Sequence, residues 1–457
     1  MELYQRIEQI LECLRPVFRR KATYEWFVLL MWGSLLCSQG AAVTSYLNSL
    51  GLPETYYQAA LNWFHSTAFS IDELCRCWGA WLAGHPHAHR LNGQRVYVGD
   101  GIKVGKEGRK MPGVKWMHQE SADVNKPEHL RGHYFSALGM LLSQGRALFC
   151  TPVVLKLHDG LDEFIVDHEQ GTVVEKMASV CVQLMETGSY ALLDAYYTSL
   201  QVLRPFREAG LNLISRARSS TVARAPFCPM RGKRGPGRPR KWGSPIKLWD
   251  LFAPADDCDT AQVCLYGQLT EVCFQCFQFH WDDPQHLVLF VLTQLPNGKR
   301  LILLSSDTSL SGEQVIEAYC WRFKVELCFR TLVMLLGGFA YRFWLRSMAQ
   351  TTTSTRPVVL AQSPQSFQQQ VLRKVDAFER FVNLNSIALG LLQILSLEMS
   401  PLVWNHFPRW FRTVPEHGFP SEQIVRLSLQ HLQLSILSKS RPRLLLNQLL
   451  SRKTVSS

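Results

Sequence analysis

Three acidic residues occupy positions in this 457-residue sequence at which a carboxylate could perform metal-assisted chemistry. Asp100 follows the β-branched and aromatic run QRVYVG, Asp194 ends the apolar run YALLD, and Glu326 lies in the aromatic segment AYCWRFKVELCFRTL. A carboxylate at the end of a buried strand is costly unless it pairs with cations or a metal ion. Two such aspartates suggest a shared Mg²⁺ site, because Mg²⁺ prefers carboxylate oxygens as ligands.

Each acidic residue also has a plain structural interpretation. Asp100 precedes Gly101 and could be a turn residue, and Asp194 could cap a helix over AYYTSLQVL. Glu326 could form an ordinary surface ion pair with Arg322, four residues earlier on a predicted helix. The joint pattern, in which both predicted strands end in an aspartate, favours the metal site.

The hydrophobic pattern predicts the elements that would position these acids. Residues 1 to about 92 have the i, i+3, i+4 apolar spacing of helices, whereas strand character begins at QRVYVGDGIKVG. A hairpin is predicted over HYFSALGMLLSQGRALFCTPVVLKL, followed by a helix over TVVEKMASVCVQLMETG and the strand YALLD. In AYCWRFKVELCFRTL, helical spacing predicts that Tyr319, Arg322, Phe323 and Glu326 form one stripe.

The charge of the chain points to a polyanionic partner. The formal net charge is +12 and the isoelectric point is near 9.1. Between Leu203 and Lys247 there are twelve basic residues against one acidic residue, Glu208, so this segment carries nearly all of the excess. Such a block typically binds phosphate, and its GRPR sequence resembles the core of an AT-hook, which enters a narrow minor groove.

The cysteines indicate a reducing compartment. Thirteen cysteines without an evident secretory signal fit a cytoplasmic protein in which they act as small apolar residues. A zinc site built from Cys258, Cys264, Cys273, Cys276 and His280 is conceivable, but the same segment alternates like a strand, which we favour. The longest apolar run, WFVLLMWGSLLC, is about 12 residues, short of the ~20 that span a bilayer, so we expect no membrane contact.

The acid-bearing segments carry a resemblance to a known family. VYVGDGIKVGK, YALLDAYYTS and YCWRFKVELCFR together resemble the DDE transposases of bacterial insertion sequences, in the group with a Tyr-x2-Arg-x3-Glu-x6-Lys signature. Tyr319, Arg322 and Glu326 match the first three signature positions, whereas Val333 stands where the group has Lys. LISRARSS, KRGPGRPRKWG, KRLILLSSD and AYRFWLR also resemble this group, and the resemblance covers roughly residues 92 to 400.

This resemblance implies an α/β fold with a ribonuclease H-like core, a mixed five-stranded sheet with helices on both faces. It implies that Asp100, Asp194 and Glu326 are the catalytic residues and the ligands of two Mg²⁺ ions, with Mn²⁺ as a substitute. Two such ions, roughly 3.5–4 Å apart, activate an attacking water or 3′-hydroxyl and stabilise the leaving oxygen. It also implies a homodimer that bridges two DNA ends.

The resemblance and the composition together divide the chain into five regions. Between Asp194 and Glu326 lie 131 residues, too many for a simple link, and strand-like runs with an LPNGK turn fill much of this interval. The expected regions are a helical DNA-binding or dimerisation region (1–92), a first part of the catalytic core (93–204), a basic strip with a β-rich insertion (205–310), a second core part with the Glu helix (311–346), and a linker with C-terminal helices (347–457).

Candidate DNA-contacting residues come from the signature and from basic clusters. We expect Arg322 to bind phosphate in a bidentate manner and Tyr319 to donate a hydrogen bond, although both could instead orient Glu326. The basic residues after Asp100 and those in the basic strip are expected to contact backbone phosphate, unless they are solvated loops. The full set is Tyr319, Arg322, Lys103, Lys106, Arg109, Lys110, Arg234, Arg238, Arg240 and Lys241.

The predicted function is that of a DNA transposase, which binds the ends of its element in double-stranded DNA and cleaves there with Mg²⁺. It would then join the freed ends to target DNA, in the bacterial cytoplasm and at the nucleoid. Two alternatives stay open at this stage. One is a transposase-derived, sequence-specific DNA-binding protein without catalysis, which the absent signature Lys favours, and the other is a metal-dependent nuclease without strand transfer.

The basic strip yields a first prediction. Replacing Arg234, Arg238 and Arg240 by Ala should lower the slope of log K against log salt by roughly 2–3 on duplex DNA, because each neutralised phosphate contributes about 0.9. Binding titrations at several salt concentrations measure this slope. An unchanged slope would remove the strip from the DNA interface.

Overall fold

The computed structural model describes most of the chain. The described residues are 2–119, 127–157, 171–226, 242–252, 258–265, 267–281, 283, 286–350, 363–408, 410, 418–438 and 444–455. Four of the predicted DNA-contacting residues, Arg234, Arg238, Arg240 and Lys241, lie outside this set, as does the GRPR motif.

The chain folds into two units, neither of which is continuous in sequence. The first unit comprises Met1–Ala88, Gly101–Gln170 and Glu326–Ser457. The second unit comprises His89–Asp100 and Gly171–Val325. Helices dominate the first unit and a sheet dominates the second, so the protein is a mixed α/β structure.

The helical character predicted for residues 1 to about 92 is found up to Ala83, and the short strand β1 (Arg90–Leu91) follows. The helices of the described residues follow in chain order. They are α1 (Glu2–Cys13), α2 (Lys21–Leu36), α3 (Val43–Ser49), α4 (Tyr57–Phe64), α5 (Ile71–Ala83), α6 (Val173–Leu184), α7 (Leu200–Glu208), α8 (Gly312–Trp321), α9 (Lys324–Met334), α10 (Gln365–Glu398), α11 (Ser400–His406), α12 (Glu422–Ser438) and α13 (Leu445–Val455).

The strands alternate with helices in the middle of the chain. They are β1 (Arg90–Leu91), β2 (Gln94–Gly105), β3 (Lys115–His118), β4 (His129–Gln144), β5 (Ala147–Leu157), β6 (Tyr190–Leu193), β7 (Asn212–Ala217), β8 (Val222–Arg224), β9 (Pro245–Lys247), β10 (Asp259–Leu265), β11 (Gln268–His280), β12 (Leu287–Gln294) and β13 (Arg300–Ser305).

A mixed sheet forms the body of the second unit. The short, fully buried strand β6 pairs in parallel with β2 on one side and with β7 on the other. From β7 the sheet continues through β13, β12, β11 and β10 with antiparallel pairing at every step. Helix α6 starts at a capping box formed by Thr172 and Glu175, and α8 packs against β6, β7, β12 and β13.

The predicted strands between residues 250 and 306 are confirmed as β10 to β13. Because β13 pairs with β7, these strands extend the sheet that contains β6. The strand interpretation of the cysteine segment is also confirmed, and the Cys258 and Cys273 sulfur atoms form a disulfide there, which the expectation of reduced thiols did not include. Among the described residues, these cysteines belong to no group of three or more His, Cys, Asp or Glu side chains that could hold a metal ion.

Helix α10 is the centre of the first unit. Two of its buried polar side chains bond to β5, and Asn383 exchanges two hydrogen bonds of 2.8 Å with the backbone of Leu155. Glu379 accepts from Lys156 at 3.0 Å and from the Leu157 amide at 2.9 Å. The predicted β4–β5 hairpin is confirmed, and these bonds fix it against α10.

Helix α10 is also long and apolar enough to cross a membrane by length and composition. Its most apolar 18-residue window has a mean hydropathy of 1.4, and 94% of that window is buried inside the protein. The same test is passed by the core helix of many soluble proteins, so it does not by itself indicate a membrane span.

An ion-pair network joins the two ends of the chain within the first unit. Glu398, the last residue of α10, accepts from Arg6 at 2.7 Å and from His85 Nε2 at 2.8 Å. Burial opposes ionisation of Glu398, but the hydrogen bonds from His85 and Arg6 outweigh it and lower the pKa of this carboxyl to about 2.

A stability measurement tests this network. Glu398→Gln should lower the free energy of unfolding by about 2 kcal/mol at neutral pH, because Arg6 and His85 lose a charged acceptor. A carboxyl whose pKa is lowered on folding contributes stability above its unfolded pKa, near 4.5, and loses it as pH falls toward 2. The difference between variant and wild type in denaturant titrations should therefore shrink over that interval.

The matched control is Glu54→Gln, which removes an exposed carboxylate in the same unit and should change stability by less than about 0.5 kcal/mol. Equal effects of the two substitutions would show that the Glu398 network contributes nothing.

Candidate active site

The register of two parallel strands brings Asp100 and Asp194 together. Gly99 on β2 is the Cα partner of Leu193 on β6, the last pair of this ladder. Asp100 is the next residue on β2, and Asp194 directly follows β6. Paired strands lie ~4.8 Å apart, and residues in register share one face. The sheet therefore places two carboxylates side by side.

Gly99 permits this close pairing. A Cβ atom at this position would lie 2.6 Å from Leu193 Cδ2 and 3.2 Å from Met177 Sδ on α6. No real Cβ makes such a contact at 2.6 Å without a shift of the neighbour. A side chain here would require the Leu193 and Met177 side chains to shift.

The plain interpretations of the two aspartates are not supported. Asp100 lies within the extended strand β2, so the turn interpretation is wrong. Asp194 occupies the N-cap position of a 3₁₀ helix over Ala195–Tyr197, but its side chain makes no capping hydrogen bond. Neither carboxylate is therefore used in the way that a local structural role would require.

Arg322 pairs with the first aspartate. Its Nη1 atom lies 2.9 Å from Asp100 Oδ2, and the two side chains are only 16% and 23% exposed. A hydrogen bond to a charged partner in such a sheltered place is stronger than a surface ion pair. Arg322 thus fixes the orientation of Asp100, a role that we had not assigned to it.

Tyr319 lies among the charges of this site. The Arg322 guanidinium is 6.0 Å from the centre of the Tyr319 ring. Burial raises the pKa of the Tyr319 hydroxyl, and the nearby charges of Arg322, Asp194 and Arg216 also act on it. The hydroxyl therefore stays protonated at neutral pH and can act as a hydrogen-bond donor.

The prediction of one continuous helix through Tyr319, Arg322 and Glu326 is wrong. Helix α8 ends at Trp321 and α9 begins at Lys324, and bonds of the i to i+3 type replace the helical pattern between them, such as Arg322 N–H to the Tyr319 carbonyl at 3.2 Å. Arg322 lies at this break and pairs with Asp100. Glu326 is an exposed residue in the first turn of α9.

Two hydroxyl residues near Asp194 were missed at the level of sequence. The buried Ser215 on β7 donates to the Leu193 carbonyl at 2.8 Å and lies 3.2 Å from the Asp194 carbonyl. Thr198 Oγ1 lies 2.7 Å from Ser215 Oγ and donates to the Arg216 carbonyl at 3.0 Å. The available signal was a serine inside the apolar run NLIS, where a hydroxyl needs a partner.

A cavity of about 430 Å³ lies in the second unit. Its wall includes Tyr196 and Thr198, which come shortly after Asp194 in sequence, together with Arg218, Thr221 and Trp281. Hydroxyl donors, a guanidinium and two aromatic rings are groups that suit a phosphate-bearing ligand.

The basic residues after Asp100 belong to the first unit and are partly engaged by the protein. Lys103 donates to the His118 carbonyl at 2.7 Å, and Lys110 donates to the Arg346 carbonyl at 3.2 Å. Lys106 donates to the carbonyls of Phe339 and Tyr341, and burial lowers its pKa to about 7. Arg109 is exposed. Contact of these residues with DNA stays a prediction.

The donors suit a hard cation, although no group of three His, Cys, Asp or Glu that could hold a metal is found in the part of the chain that the structure describes. Two adjacent carboxylates are a sufficient protein contribution for Mg²⁺, which keeps several waters and takes other ligands from a substrate phosphate.

Comparisons with known proteins leave the family open. No family model matches the chain, and no curated protein matches it. Among solved structures, it is similar to a cryo-EM structure of the piggyBac transposase synaptic complex with hairpin DNA, with a TM-score of 0.38 and 12% identity over 97% of this chain and 85% of that chain. A structural similarity this weak does not show a shared function.

A double-mutant cycle tests the geometry at Asp100. Asp100→Asn and Arg322→Gln, singly and together, should give a coupling energy of about 1–3 kcal/mol in the free energy of unfolding, since the pair is sheltered from water. Lys247 and Asp250 form an exposed pair at 3.6 Å in the same unit and provide the control, with expected coupling below about 0.5 kcal/mol. Equal coupling in both cycles would contradict the assigned role of Arg322.

Proposed function

We propose that this protein is a DNA transposase that cleaves DNA and joins DNA ends with Mg²⁺. The observation that carries the proposal is the placement of Asp100 and Asp194 as neighbours on parallel strands, with neither carboxylate serving a turn or a cap. Two adjacent carboxylates on neighbouring strands are unfavourable for stability, because their negative charges repel. Such an arrangement is expected where a cation binds during function.

Asp100 and Asp194 would hold the metal, and Glu326 is proposed as the third acid on the basis of the sequence signature alone. Bound Mg²⁺ would polarise the scissile phosphate and lower the pKa of an attacking water or 3′-hydroxyl. The carboxylates fit this role by their chemistry, since both are hard oxygen donors.

The other residues of the site position these acids and the DNA. Arg322 orients Asp100 through the 2.9 Å ion pair, and Ser215 holds the backbone on either side of the Leu193–Asp194 peptide. Tyr319 presents a protonated hydroxyl beside them, which can donate to a phosphate oxygen. Together they would fix one strand of DNA against the two carboxylates.

A ribonuclease H-like core is part of the proposal. Its support in the second unit is the parallel order β2, β6, β7, with α7 connecting β6 to β7. In the first unit, the support is the antiparallel hairpin β4–β5. The net charge of +12 supports a polyanionic substrate. Homodimer formation on DNA and a cytoplasmic location stay expectations of the sequence resemblance.

The proposal predicts that three conservative substitutions abolish catalysis. Asp100→Asn, Asp194→Asn and Glu326→Gln should each reduce DNA cleavage and joining by at least on the order of 10³-fold, because each removes an anionic ligand while keeping the side-chain shape. The losses should not add in the triple variant, since the acids act as one unit. The assay uses labelled DNA from either flank of the gene, with Mg²⁺, beside a gel-shift measurement of binding.

Glu317→Gln is the matched control, because Glu317 lies on α8 outside the matched motifs and should tolerate the change. Near-normal cutting by any of the three variants would remove that residue from the site. A wild-type protein that cuts but never joins would be a nuclease, and one that binds its flanks without cutting would be a DNA-binding protein.

A further inference from the structure

A short extended strip in the first unit has strictly alternating exposure. From residue 341 to residue 346 buried and exposed side chains alternate, with odd-numbered residues buried and even-numbered residues exposed. The Leu345 amide donates to the Lys110 carbonyl at 2.8 Å, which ties the strip to the loop after β2. The buried side chains are Tyr341, Phe343 and Leu345, and the exposed ones are Arg342, Trp344 and Arg346.

Tyr341, Arg342 and Trp344 of this strip line a cleft of about 1140 Å³. Most residues of the segment 105–111, together with residues 130–131 and 339–340, line the rest of it. The cleft exceeds the roughly 300–1,000 Å³ typical of sites that enclose one small molecule, so its size fits a segment of a chain. Its lining contains four basic residues and one acidic residue, Glu107, so its charge favours an anionic ligand. The basic residues are Lys106, Arg109, Arg131 and Arg342.

The basic residues of the cleft lie close enough for their positive charges to repel one another. Burial lowers the pKa of Lys106, and the charge of Arg342 lowers it further. Burial likewise lowers the pKa of Arg131, with Arg109 as the second cause. Arg131 is held in place by donating to the carbonyls of Lys106 at 3.1 Å and of Gly108 at 3.3 Å. An anion in this cleft would relieve the repulsion between these cations.

Trp344 adds an aromatic surface to this basic cleft. Its side chain is 66% exposed, in a segment whose other large rings are buried. An exposed ring inside a positively charged groove is the combination with which proteins bind single strands, because every base offers a face for stacking. In a duplex, the base faces are covered by neighbouring bases and only their edges are reachable.

We propose that the cleft between residues 105–111 and the strip 341–346 binds a single-stranded segment of DNA, with a base stacked on Trp344 and phosphates on Arg109, Arg131 and Arg342. This site is independent of the proposed catalysis, because it requires neither Asp100 nor Asp194. It assigns to Trp344, Arg131 and Arg342 a role that the sequence did not predict.

Fluorescence anisotropy of the full chain with labelled oligothymidylate, about 20 nucleotides long, tests the proposal in the presence of EDTA. Trp344→Ala should weaken binding roughly tenfold, and Trp344→Phe should recover most of that loss, because a phenyl ring also stacks. Arg342→Gln should weaken binding and lower the salt slope by about 0.7, the contribution of one phosphate contact on a single strand.

Two substitutions outside the cleft are matched controls. Trp410→Ala removes a tryptophan that is 81% exposed, and Arg373→Gln removes an exposed cation on α10. Both variants should bind oligothymidylate as the wild type does. Replacement of Trp344 should reduce the affinity for a duplex of the same length much less than the affinity for the single strand.

Three results would overturn the proposal. The first is unchanged oligothymidylate binding by Trp344→Ala, and the second is an equal loss of affinity for duplex and single strand. The third is that Trp344 is required only for binding to phosphatidylserine vesicles and not for binding to DNA. Because EDTA removes divalent metal, these results do not depend on the proposed DNA cleavage. Conversely, loss of cleavage in the acid variants leaves this binding measurement intact.

Discussion

The parallel pairing of β2 with β6 is the constraint on which the candidate active site depends. Its register brings Asp100 and Asp194 to adjacent positions, although 93 residues separate them in sequence. A shift of one residue would turn one of the two side chains to the opposite face of the sheet. The close packing at Gly99 and the complete burial of β6 hold this register, so residues that make no contact with substrate determine whether the site exists.

The site also requires compensation for its own charge. Two adjacent carboxylates at a sheltered sheet edge repel each other, and Arg322 offsets part of that repulsion at Asp100. At Asp194 the structure instead fixes the backbone, through Ser215 and the neighbouring Thr198. The two aspartates are thus held by different means, Asp100 through its side chain and Asp194 through its backbone.

Local signals in the sequence predicted most elements and the β4–β5 hairpin, but not the pairing of strands that are distant in sequence. The strands β2 and β6 follow from apolar and β-branched runs, and α6 follows from its helical period and its Gly stop. The break between α8 and α9 could not be predicted, because the i, i+4 pattern there fits a helix and the partner of Arg322 lies 222 residues away. The hydrogen bonds of Lys106 likewise go to distant residues, the carbonyls of Phe339 and Tyr341.

The central claim, that Asp100 and Asp194 form a cation site, is tested most directly by metal binding in the absence of DNA. Electron paramagnetic resonance titration with Mn²⁺ reports bound ions without any requirement for activity. The account predicts that the wild type binds Mn²⁺ and that the double variant Asp100→Asn, Asp194→Asn loses this binding while remaining folded. Equal Mn²⁺ binding by wild type and double variant would contradict it.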